Sequence, residues 1–129
     1  MKPLTPAMGD LLRADQMNML ALGRMKSGRM NQTEAAYQDV LDVRKAAGEI
    51  LWFAFEAYTF KLADDTRYTP DFAVMLASRE LEFHEVKGFW KDDARVKIKV
   101  AADRFPHRFI AVQKLSKKNG GGWKEEVFE

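Results

Sequence analysis

The run ELEFHEVKG (80–88) places Leu81, Phe83, Glu85 and Lys87 at alternate positions. On a strand these four side chains share one face. Two apolar side chains are thus followed by a carboxylate and an ammonium. A second carboxylate, Asp71 in TPDF (69–72), stands thirteen residues upstream of Glu85, counting those between. If the two segments pair in a hairpin whose opposed residue numbers sum to 156, Asp71 faces Glu85, with Cβ atoms about 5 Å apart. Carboxylates that close repel unless a proton or a cation lies between them. A hard divalent ion resolves the repulsion, because Mg²⁺ is commonly held by one or two carboxylates, waters and phosphate oxygens. A lysine beside it orients a water or stabilises charge developing on a phosphate. The same spacing equally fits a structural ion pair in which Lys87 bridges Asp71 and Glu85, and spacing alone does not choose between the two.

Several elements must position these groups. Asn31 and Glu34, three residues apart, form the pattern of a capping box at the start of NQTEAAYQDVLDVRKAAG. Ala36, Val40, Val43 and Ala47 recur at helical spacing there, and Gly48 ends the helix. The period then changes to two. Residues 50–62 read as one strand, 68–76 as a second and 81–87 as a third, an antiparallel meander. Residues 92–105 contain the alternating RVKIKV, yet Ala94, Ile98, Ala101 and Phe105 also fall on one helical stripe. Helix is the favoured reading, because a crossover of that length allows 107–115 to return as a fourth strand parallel to one of the others. The pattern is an α/β fold in α-β-β-β-α-β order around a mixed four-stranded sheet. An extra helix is expected over 6–22, capped at Thr5-Pro6 and ended by Gly23, followed by a basic connector to residue 30. Residues 116–129 read as a flexible loop and a short tail docked by Trp123 and Phe128.

At 129 residues, 47% apolar and 31% charged, the chain has the composition of one globular domain. It has no cysteine, which excludes disulfides and thiolate metal sites. No apolar run approaches the roughly 20 residues of a membrane span, and MKPLTPAMGD lacks the apolar stretch of a secretory signal, so a cytoplasmic location is expected. Residues 86–118 hold ten Lys/Arg against three Asp, a net of +7, while the rest of the chain carries −5. Such a basic half suits a polyanionic partner.

TPDF followed by HEVKG resembles the bipartite motif of the PD-(D/E)XK nuclease superfamily, with Pro70-Asp71 and then Glu85-Val86-Lys87. YTPDF…EVKG…VKIKVAADRF is most similar to small phage-encoded nucleases related to Holliday-junction resolvases, over residues 31–115. The resemblance implies a restriction-endonuclease-like core and a metal-dependent DNA endonuclease acting on branched or junction DNA. By position it implies that Asp71, Glu85 and the carbonyl of Val86 hold Mg²⁺ or Mn²⁺. It also implies that Glu34 contributes to the metal directly or through water, and that Lys87 positions the attacking water. Nicking, exonucleolytic or restriction-type cleavage, or a non-catalytic binding module, are the alternatives. Symmetric cutting of a junction favours a homodimer, with the N-terminal helix as the expected contact.

Arg95, Lys97, Lys99 and Arg104 on the 92–105 helix are candidate phosphate contacts, which set affinity rather than sequence readout. Arg24, Lys26 and Arg29 are weaker candidates of the same kind, and Phe89 and Trp90 are candidates for stacking on an unpaired base. Gln113 on the last strand is near enough in the expected order to touch the site but is not counted among its residues. His84 and His107, with no third ligand nearby, are expected to be structural.

Overall fold

The computed structural model describes residues 28–88 and 92–129. The expected 6–22 helix, Arg24, Lys26, Phe89 and Trp90 lie outside them. Helix α1 (Gln32–Ala46) begins as its residues require. Asn31 is extended and its Oδ1 accepts from the Glu34 amide at 2.8 Å, while Glu34 Oε1 accepts from the Asn31 amide at 2.9 Å. Gly48 leaves the helix at φ 81°, a left-handed turn that a side chain would strain. The buried face is not the expected Ala36–Val40–Val43–Ala47 stripe. Tyr37 and Leu41 are buried, and Val43 is 69% exposed. The larger side chains at i and i+4 remove more apolar area from water than the small stripe beside them, and they set the helix rotation.

Strands β1 (Ile50–Phe55), β4 (Phe72–Leu76), β5 (Leu81–Lys87), β6 (Arg108–Lys114) and β7 (Trp123–Phe128) form one mixed sheet in the order β1-β4-β5-β6-β7. Between β1 and β4 the chain makes a separate two-stranded sheet from β2 (Phe60–Ala63) and β3 (Thr66–Tyr68). The fold is therefore α/β, with five strands in the main sheet rather than the expected four. The expected single strand over 50–62 is broken at Glu56, where φ is 48° and the pleat cannot continue. The expected second strand over 68–76 is likewise divided. Tyr68 ends β3, and Pro70, with no amide hydrogen, stands outside the ladder that starts at Phe72.

The register of the central hairpin is the one the alternation requires: Phe72 opposes His84, Ala73 opposes Phe83, Val74 opposes Glu82 and Met75 opposes Leu81. Helix α2 (Asp92–Arg104) occupies the ambiguous segment and carries the chain from β5 to β6, which pair in parallel. The expected C-terminal tail is instead strand β7, antiparallel to β6. Trp-Lys-Glu-Glu-Val-Phe has weak strand character, but an edge strand needs only one ladder, and Gly120, Gly121 and Gly122, all at positive φ, turn the chain into it.

Two cores flank the sheet. Phe83, Ile98, Ala101 and Phe109 pack with the β2–β3 hairpin under α2. Tyr37, Leu41, Phe72, Val74 and Val112 pack under α1. His84 is fully buried on the α1 side, as a structural residue: Tyr37 Oη lies 2.6 Å from its Nδ1 and Glu82 Oε1 lies 2.9 Å from its Nε2. Among the described residues no helix is long and apolar enough to cross a membrane.

Candidate active site

The end of β5 and the bend before β4 bring together the two acids singled out by spacing. Asp71 is 1% exposed, and its Oδ2 accepts from the Val86 amide at 2.7 Å. Its own carbonyl accepts from the Glu56 amide at 2.8 Å, so the break after β1 is tied to the same corner. Glu85 is also buried. Tyr68 Oη donates to its Oε1 at 2.9 Å, and Lys87 Nζ lies 2.9 Å from its Oε2. Burial holds the Tyr68 hydroxyl neutral well above its usual range, and the charge and hydrogen bond of Glu85 push in the same direction, as does the charge of Asp71. Both carboxylates therefore bear on one buried phenol. This convergence answers why the inner face of β5 turns polar: its last two inward positions line one cleft with another acid.

A cleft of about 340 Å³ opens over this corner, lined by Arg29, Asn31, Glu34, Glu56, Asp71, Glu85, Val86 and Lys87. Glu34, Asp71, Glu85, Val86 and Lys87 are thus gathered on one surface. Glu34 reaches it from the start of α1 with Oε1 committed to the Asn31 amide, so the cap and a place at the cleft are compatible. Sequence reasoning missed Glu56. Its signal was an acid interrupting the apolar run 50–55, where a continuous strand would have none. A second cleft, of about 240 Å³, lies on the other side of the Glu85–Lys87 pair and is lined by Arg67, Tyr68, Thr69, Glu85, Lys87, Asp93, Ala94 and Lys97.

The four cations of α2 are not brought to one face. Lys97 reaches the second cleft, and Lys99 is exposed. Arg95 forks onto Glu126 of β7, at 2.8 and 2.5 Å, and lies over the Phe128 ring at 5.6 Å. The hydrogen bonds of that fork lower the Glu126 carboxyl below the usual range, against the opposing effect of burial, and the charges of Arg95, Lys124 and Lys99 add to the lowering. Arg104 donates to the Leu62 carbonyl at 2.8 Å, clamping the β2–β3 hairpin onto α2. Gln113 pairs with Lys87 across the parallel ladder, and its Nε2 donates to the Gly88 carbonyl at 3.3 Å.

The donor set of the first cleft is all oxygen, the chemistry that a hard cation prefers to the nitrogen and sulfur ligands of zinc. Among the described residues no three His, Asp or Glu side chains are gathered tightly enough to enclose an ion as they stand. Mg²⁺ does not demand such a cage, since it keeps several waters and takes one or two carboxylates. The residues present fit that open kind of site. The chain matches no family model, no curated protein and no solved structure.

Proposed function

We propose that this protein is a metal-dependent DNA endonuclease with a PD-(D/E)XK-type core, hydrolysing phosphodiester bonds in branched or junction DNA. The observation that carries the reading is the buried Asp71–Glu85 corner, with Lys87 against Glu85 at 2.9 Å and a cleft open above it. Asp71 and Glu85, with the Val86 carbonyl and with Glu34 at longer range, are the groups that would hold Mg²⁺ or Mn²⁺. When bound, the ion neutralises phosphate charge and lowers the pKa of a water. The Val86 amide fixes the Asp71 carboxylate, and Tyr68 fixes that of Glu85, so both ligands are oriented before substrate arrives. Lys87 orients the attacking water and offsets charge on the phosphoryl oxygens. The new bond forms between water oxygen and phosphorus, the bond to the 3′ oxygen breaks, and the products are a 5′-phosphate and a 3′-hydroxyl. Paired cuts in a junction require two copies of the chain, and a cytoplasmic setting suits that substrate.

A second reading has one observation in its favour. Both Glu85 oxygens already have protein partners, Tyr68 and Lys87, which is what a purely structural ion pair in a DNA- or protein-binding module would show. Incubation of the purified protein with linear, nicked and four-way-junction DNA separates the two. Cleavage in Mg²⁺ that stops in EDTA, strongest on the junction, is expected. Intact DNA under all conditions refutes the enzymatic reading.

A further inference from the structure

The second cleft is lined by an arginine with one donor that the fold does not satisfy. Arg67, on β3, lines it, and its Nε is shut off from solvent without a hydrogen-bond partner. A buried donor left unmade is costly, so few such groups persist without a role. Lys97 enters the cleft from α2 and forms no ion pair among the described residues. Lys87 forms the wall shared with the first cleft, where its charge is met by Glu85. Asp93, the remaining carboxylate, spends Oδ1 on the Ala94 amide at 3.0 Å at the start of α2. Beyond the mutually paired Lys87 and Glu85, the cleft holds two cations, Arg67 and Lys97, against the exposed carboxylate of Asp93. Its volume of about 240 Å³ equals roughly eight waters at about 30 Å³ each. That is room for a hydrated phosphate, and the guanidinium fork matches phosphate geometry.

We infer that Arg67 and Lys97 form a phosphate subsite, seating a backbone phosphate of the DNA strand next to the one that is cut. The inference rests on the nuclease reading for the identity of the ligand. Its geometry is independent of that reading: Glu85 and Lys87 line both clefts, so a strand crossing the site passes from the acidic cleft to the basic one without leaving the protein. The hairpin that carries Arg67 is held on α2 by Arg104, so the subsite is built across two elements whose relative position is fixed.

The test is binding of a fluorescent four-way junction in EDTA, where no cleavage occurs, read by anisotropy between 50 and 200 mM salt. Each phosphate contact contributes a slope of about 0.9 in log K against log salt, or about 3.5-fold in affinity over that fourfold range. Arg67→Met and Lys97→Gln are each expected to make the parental loss across this range about 3.5-fold smaller. Arg67→Lys, which keeps the charge, restores the slope. Lys97 is exposed on a helix, so Lys97→Gln decides the matter if Arg67→Met does not fold. Unchanged slopes in a parent that cuts DNA in Mg²⁺ overturn the subsite and leave the nuclease reading standing. A parent that neither binds nor cuts DNA removes both. Inorganic phosphate supplies the remaining arm: if it stabilises the parent but not the variants while the DNA slopes stay unchanged, the cleft serves free phosphate and the subsite assignment is wrong.

Discussion

The electrostatics of the Asp71–Glu85 corner predict opposite outcomes for two substitutions at one position. Were the register to continue one pair beyond Phe72–His84, Asp71 would oppose Glu85 with Cβ atoms about 5 Å apart. At an effective dielectric near 20, two unit charges at that distance repel by about 3 kcal/mol. Lys87, 2.9 Å from Glu85, and Arg29, which lines the same cleft, offset part of this, leaving about 1 kcal/mol. Asp71→Asn removes the charge and keeps an oxygen for the buried Val86 amide, so it is expected to raise stability by about 1 kcal/mol. Asp71→Ala also relieves the repulsion, but it leaves that amide without an acceptor at a cost of about 1–3 kcal/mol and opens a cavity. It is expected to fall about 1 kcal/mol below the parent, roughly 2 kcal/mol below Asp71→Asn. Urea unfolding followed by tryptophan fluorescence measures both. Repeating it with Mn²⁺ at ten times its Kd adds about 1.4 kcal/mol to the parent and nothing to either variant. Asp71→Asn no more stable than the parent would refute the repulsion, and Asp71→Asn as unstable as Asp71→Ala would refute the role of the Val86 amide. Asp71→Asn that still gains the Mn²⁺ increment would refute the ligand assignment.

Three further outcomes are expected. Lys87→Ala should lose cleavage by about 100-fold or more while still shifting junction DNA in a gel, and parental rates would remove the lysine from the mechanism. Tyr37→Phe cuts the 2.6 Å contact to the buried His84, so it should cost about 1–3 kcal/mol in urea without changing cleavage, because Tyr37 lines neither cleft. Arg95→Met removes the fork on Glu126, a pair about one-third exposed and so worth about 1 kcal/mol at most. Glu126 has a lowered pKa in the fold, so its stabilisation is present above its unfolded value of 4.5 and is lost as pH falls through the lower folded value. The Arg95→Met deficit should therefore be visible at pH 7, shrink in high salt and vanish in acid; a deficit independent of pH would mean that packing on Phe128 dominates.

Much of the site was legible because its signals are local. A capping box depends on residues three apart, and Asn31–Glu34 formed as read. Strand alternation puts Phe83, Glu85 and Lys87 on one face wherever the strand lies, and the short ASRE turn left little freedom in the Phe72–His84 register, so Asp71 and Glu85 line one cleft. The choice of helix for 92–104 followed from the parallel return that only a crossover permits. What stayed hidden depends on partners distant in the chain. The break at Glu56 arises where the Asp71 carbonyl binds its amide, and the rotation of α1 was set by how Tyr37 and Leu41 pack on the sheet. Strand β7 exists because β6 offered an open edge, which its own weak propensity could not announce. The scattering of Arg95, Lys97 and Arg104 onto Glu126, a cleft and a carbonyl had the same origin. Periodicity assigns a charged side chain to a face of its helix, but the element packed against that face decides whether the charge is neutralised or left to meet a ligand.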